Sequence, residues 1–142
     1  MTTEKSCRSK NFNKKMMSEK IKILILDDEE IVVTRLKAVL EKEGYFVEAL
    51  TDSIKAKERV GEVNFDIVIT DLKMANFDGM QLFRYVKQKK PETDVILISG
   101  FTTVEVVKEA LQEGVRDVIA KPFKISEIKD LINNIVVNRS DN

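Results

Sequence analysis

The sequence predicts an α/β protein: a doubly wound parallel sheet of five strands, with five helices covering both faces. Three observations carry this prediction. Short apolar runs alternate with segments of helical periodicity, five of each, between residues 20 and 138. The apolar runs are continuous rather than alternating, as strands buried on both faces should be. The chain has 142 residues, enough for one core and too few for a second domain of similar size.

The elements follow in order. IKILIL, residues 21–26, is the first strand. EEIVVTRLKAVLEKEG follows with helical spacing, placing Val32, Leu36, Val39 and Leu40 on one face. Gly44 suits the left-handed residue that ends a helix. YFVEAL, residues 45–50, is the second strand, and Asp52 or Ser53 caps a helix running to about residue 63. FDIVIT, residues 65–70, is the third strand, followed by a helix over residues 80–89 presenting Leu82, Phe83 and Val86. DVILIS, residues 94–99, is the fourth strand. Thr102 or Thr103 starts a helix carrying Val104, Val107 and Leu111, with Gly114 as its stop. DVIA, residues 117–120, is the fifth strand. The last helix, residues 126–137, carries Ile128, Leu131, Ile132 and Ile135.

Residues 1–18 precede this pattern and read as a flexible, basic N-terminal extension; residues 19–142 form the folded domain. A basic arm for nucleic acid or an acidic membrane is the alternative, with one Phe among scattered lysines as its support. Met16-Met17 suits an alternative start or a junction. The 24 basic and 24 acidic residues cancel overall. Residues 1–20 hold six Lys or Arg and two Glu, net +4, which leaves 18 against 22, net −4, for the rest.

Composition excludes several chemistries. There is no histidine, which removes Ser-His-Asp and Cys-His catalysis and His-ligated zinc. The single Cys7 excludes an intramolecular disulfide and a multi-cysteine metal site. Neither GxxxxGK[ST] nor GxGxxG occurs, so nucleotide binding has no support. No apolar run reaches the roughly 18 residues of a membrane span, and the N-terminus lacks the apolar centre of a secretory signal. A cytoplasmic location, with no membrane or nucleic-acid partner, is the expectation.

The polar residues at the carboxyl ends of the strands are the functional signal. The first strand runs into Asp27-Asp28, the third into Asp71, the fourth into Ser99 and the fifth into Lys121. Ligands of open parallel sheets bind at these ends, near the switch in strand order. Taken singly, Asp27 or Asp28 reads equally as a helix cap, Ser99 as a turn hydroxyl and Lys121 as a solvated lysine. Together they form a chemical set. Clustered carboxylates repel one another, and a divalent cation relieves that cost. Oxygen ligands and retained water suit magnesium. A carboxylate can also act as a nucleophile and form an aspartyl phosphate. Lys121 and Ser99 would then contact the phosphoryl oxygens.

The chain at this point resembles the receiver domain of bacterial response regulators, over about residues 20–138. The resemblance rests on Asp27-Asp28, on Asp71 in DLKM, on Ser99-Gly100 and on Lys121-Pro122-Phe123, in that order and spacing. It implies a flavodoxin-like sheet of order 2-1-3-4-5. It implies that Asp71 accepts the phosphoryl group. It implies that Asp28 and Asp71 bind Mg2+ directly, Asp27 through water, and the backbone carbonyl of Lys73 as a further ligand. It implies further that Ser99 and Lys121 contact the phosphoryl group and that Lys121-Pro122 is a cis peptide. The donor would be the phosphohistidine of a sensor kinase or a phosphotransfer protein, since the chain itself has no histidine. Output to a protein target would run through the face of helix four, strand five and helix five. Two positions depart from the family pattern: Ala75 replaces the usual proline, and Val118 the usual aromatic switch residue.

Three readings follow. The first is a stand-alone receiver, suited to a phosphorelay shuttle, which catalyses only its own phosphorylation and slow dephosphorylation. Lys73 and Phe101, two residues beyond Asp71 and Ser99, would guard the approach of water to the acyl phosphate. The second is a magnesium-dependent phosphatase with an aspartyl-phosphate intermediate; that class wants a carboxylate two residues after the nucleophile, where Lys73 stands. The third is a binding module that has kept the fold and lost the chemistry.

Overall fold

The computed structural model describes residues 20–74, 78–100 and 102–140. The expected extension at residues 1–18, Ala75 and Phe101 lie outside the described residues. In chain order the elements are β1 (Lys22–Leu26), α1 (Glu30–Lys42), β2 (Phe46–Leu50), α2 (Ser53–Glu62), β3 (Ile67–Asp71), α3 (Gly79–Lys89), β4 (Asp94–Ser99), α4 (Val104–Glu113), β5 (Asp117–Ala120) and α5 (Ile125–Ser140).

The strands form one parallel sheet in the order β2-β1-β3-β4-β5. Successive side chains on a strand point to opposite faces, so each apolar run supplies two cores. Ile23, Ile25, Ile67, Ile69, Ile96 and Ile98 meet α1 and α5 on one face. Leu24, Leu26, Val68, Val95 and Leu97 meet α2, α3 and α4 on the other. Burying each of these side chains contributes about 1.5–3 kcal/mol over leaving it exposed. That double burial explains why the strands read as unbroken apolar runs.

Local chemistry sets the helix ends. Asp52, rather than Ser53, caps α2 by accepting from the Ile54 amide at 2.9 Å. Asp78 and Gln81 form a reciprocal capping box at the start of α3. Thr103 caps α4 through the Val106 amide at 3.1 Å. Gly44 and Gly114 stand just past α1 and α4 with φ of 98° and 114°, as expected of left-handed helix stops.

Three expectations are corrected. The buried face of α1 is Val33, Leu36 and Leu40; Val32 and Val39 are only half-buried. The stripe Val104, Val107 and Leu111 is not the buried face of α4, whose single buried residue is Ala110, while Val104 is 79% exposed. The third strand starts at Ile67 and takes in Asp71, so Phe65 is buried ahead of it rather than within it. Among the described residues, no helix is long and apolar enough to cross a membrane.

Candidate functional site

The site lies at the carboxyl edge of the sheet, beside the point where the strand order reverses between β1 and β3. Asp27 follows directly on β1, Asp71 is the last residue of β3, Ser99 the last of β4, and Lys121 follows β5. Leu26 pairs with Thr70, Asp71 with Ile98, and Ser99 with Ala120, so these residues stand level across the sheet. The Lys121 amide donates to the Ser99 carbonyl at 2.8 Å, which fixes Lys121 beside the end of β4. Lys121-Pro122 is cis, as the resemblance implied.

Asp27, Asp28 and Asp71 offer carboxylate oxygens that all lie within 4.8 Å of one another. Asp27, Asp71 and Ser99 are buried, while Asp28 is exposed. Asp27 Oδ1 accepts from the Glu29 amide at 2.8 Å. Asp71 Oδ1 accepts from the Lys73 amide at 3.3 Å. Asp27 Oδ2 is buried and accepts no aligned hydrogen bond; its contact is the ion pair with Lys121 Nζ at 2.8 Å. A buried carboxylate oxygen with spare acceptor capacity, in an all-oxygen cluster of three acids, fits a hard divalent cation.

Lys121 is the hub of the site. Its ammonium lies 2.8 Å from Asp27, 3.1 Å from Asp71 and 3.2 Å from Glu29. Burial alone would lower its pKa, but the contacts with Asp27 and Asp71 outweigh burial and hold it above the usual lysine range. Burial pushes the Asp71 carboxyl up, and the charge of Asp27 adds to that; Lys121 and the Lys73 amide pull the other way without cancelling it.

All five side chains singled out in the sequence therefore converge at this edge: Asp27, Asp28, Asp71, Ser99 and Lys121. Lys73 is exposed, two residues beyond Asp71. Two further residues belong to the neighbourhood. Glu29 reaches Lys121, and Gly79 passes so close to β3 that a Cβ there would lie 2.5 Å from the Asp71 carbonyl oxygen. Glu29 stands among the acids that open a helical segment, and Asp-Gly after a strand reads as a turn, so neither contact is carried by spacing in the sequence.

Residues 23–133 match the family model for the response regulator receiver domain. The chain belongs to this family, the receivers of two-component systems. Receiver domains take phosphoryl groups from histidine kinases or phosphotransfer proteins and bind Mg2+ at an acidic pocket. The chain is 29% identical to Sporulation initiation phosphotransferase F of Bacillus subtilis, over 89% of this chain and 100% of that protein. It is 32% identical to the transcriptional regulatory protein ZraR of Klebsiella oxytoca, over 80% of this chain but only 26% of ZraR. The chain thus spans about a quarter of the length of the ZraR proteins it matches. A response regulator receiver domain protein from Clostridium thermocellum superposes with a TM-score of 0.77 at 30% identity, covering 83% of this chain and 95% of that one. The beryllofluoride-activated NtrC4 receiver domain dimer gives 0.77 at 27% identity, covering 82% and 97%.

Proposed function

We propose that Asp71 is the phosphoacceptor of a Mg2+-dependent receiver that takes its phosphoryl group from a partner's phosphohistidine. The supporting observation is the Lys121 ammonium 3.1 Å from a buried Asp71 carboxylate, beside two further acids. An Asp71 carboxylate oxygen forms the new bond to phosphorus as the P–N bond of the donor breaks. The electron pair of that bond returns to the donor imidazole, which takes up its proton from solvent. Lys121 stands where it can neutralise the transferred oxygens, and Ser99, the last residue of β4, would donate a hydrogen bond to one of them. Asp27, Asp28, Asp71 and the Lys73 carbonyl are the residues that would hold Mg2+, which when bound supplies further positive charge against those oxygens. The absence of a carboxylate at Lys73 disfavours the phosphatase reading, because an ammonium has donors only and cannot serve as a base.

Within that reading, the receiver unit by itself suffices as a relay shuttle. The likeness over the whole length of the sporulation phosphotransferase supports this. Lys73 supports it as well, since it cannot activate water for hydrolysis. The Phe101 part of that expectation lies outside the described residues. The downstream target is a protein that reads the face of α4, β5 and α5. The test is the decay of the phosphorylated protein in Mg2+ after the donor is removed. A shuttle gives a half-life of minutes or longer, followed by return of the label to a phosphotransfer partner. A half-life of seconds, unaltered in Lys73→Ala, contradicts it.

A further inference from the structure

The Lys121 ammonium has three N–H groups. Three carboxylates surround it within 3.2 Å: Asp27, Asp71 and Glu29. Glu29 and Asp71 accept hydrogen bonds from it and Asp27 pairs with it by charge, so a phosphoryl oxygen entering beside the ammonium crowds at least one of these carboxylates out of that shell. Asp27 is 1% exposed and its other oxygen is held by the Glu29 amide, so moving it away from Lys121 costs more than moving an exposed side chain. Asp71 carries the incoming group. The Glu29 side chain is 60% exposed and rehydrates on leaving.

The backbone around Glu29 points the same way. Glu29 occupies the N-cap position of α1, with φ −93° and ψ 109°. Ser, Thr, Asp or Asn at such a position would stabilise the helix by about 1 kcal/mol over a residue that does not cap. The Glu29 side chain makes no cap hydrogen bond. It extends across to Lys121 instead, 92 positions along the chain. The first turn of α1 is thereby tied to the segment after β5, and the tie crosses the site.

We propose that Glu29 is a positioning residue that competes with the phosphoryl group for Lys121. It holds the ammonium in the unphosphorylated protein and yields it when Asp71 is modified. This rests on the phosphoacceptor reading of Asp71. Its carboxylate also adds a negative charge that the anionic donor must approach. Both effects restrain phosphorylation, and Glu29→Gln relieves both.

The experiment compares wild type, Glu29→Gln and Glu30→Gln. The last removes the same charge one residue further along α1. Acetyl phosphate with Mg2+ is the donor, so a P–O bond breaks and acetate leaves. Loss of one partly screened charge contact should raise kcat/KM for Glu29→Gln about two- to five-fold, with little change in Glu30→Gln. A second readout needs neither phosphate nor metal: the 15N–1H signal of the Lys121 ammonium should shift and gain mobility in Glu29→Gln alone. An unchanged Lys121 signal overturns the proposal, as do equal rates in the two variants. If wild type phosphorylates normally while Glu29→Gln is indifferent, only the role of Glu29 falls. If wild type takes no phosphoryl group at all, the reading of Asp71 falls and takes this one with it.

Discussion

A methyl group added at Gly79 would stand 2.5 Å from the Asp71 carbonyl oxygen and 2.9 Å from Leu72 Cα. Gly79 is the first residue of α3, where helix propensity by itself favours alanine by about 1 kcal/mol. The clash is with backbone, which has no rotamer to change, so the strained contact decides the sign. Gly79→Ala should lower stability by about 1–3 kcal/mol in denaturant unfolding and slow phosphorylation of Asp71. Unchanged stability would show that the loop relaxes without cost. At Asp28, the exposed member of the acid cluster, loss of one ligand should weaken Mg2+ binding and slow phosphorylation. An Asp28→Ala protein with an unchanged magnesium titration places the metal elsewhere. Asp27, Asp28, Asp71, Ser99 and Lys121 were legible in the sequence because each ends an apolar run, and parallel strands gather such ends at one edge. Glu29 was not, because DDEE ahead of a helix reads as first-turn acid. Its reach to Lys121 depends on a side chain turned away from the helix it introduces.

The helices show what periodicity does and does not determine. In α1, Val32 and Val33 are adjacent, and either completes a 3.6-residue stripe with Leu36 and Leu40. The choice between them is made by the angle at which the helix meets the sheet, which the sequence does not print. In α4 the stripe of Val104, Val107 and Leu111 is real, but Ala110 is the residue that meets the sheet. An apolar stripe identifies a face; it does not say that the same domain covers it. With a single buried side chain, α4 has little packing to hold it in one position. Val118 lies half-buried on β5 beside it, packed against the cluster that includes Ala110 and Val115. If phosphorylation draws on Ser99 and Lys121 as proposed, it acts on the segments that lead into and out of this region. Amide exchange with and without beryllofluoride and Mg2+ should therefore change over residues 102–125 and little over α2. With valine in place of an aromatic ring, the change is expected to be small on β5 and concentrated on α4. Equal exchange in both states over residues 102–125 would contradict this route.

At the scale of the whole molecule, sheet order and site are one consequence of the same pattern. Five apolar runs separated by helices allow a parallel sheet, and double burial of the strands leaves their carboxyl ends as the place where polar side chains can gather. The order β2-β1-β3-β4-β5 opens the crevice between β1 and β3, and Asp27 and Asp71 are the residues at its two lips. Alternation alone did not give that order; it came from the likeness of the motifs, and the structure bears it out. The central claim is that this edge exists to phosphorylate Asp71. Intact mass after incubation with acetyl phosphate and Mg2+ tests it most directly. Wild type should gain the mass of one phosphoryl group, chelation of Mg2+ should prevent the gain, and Asp71→Asn should remain unmodified. A phosphoryl group that still appears on Asp71→Asn, or a wild type that stays unmodified while binding Mg2+, would contradict it.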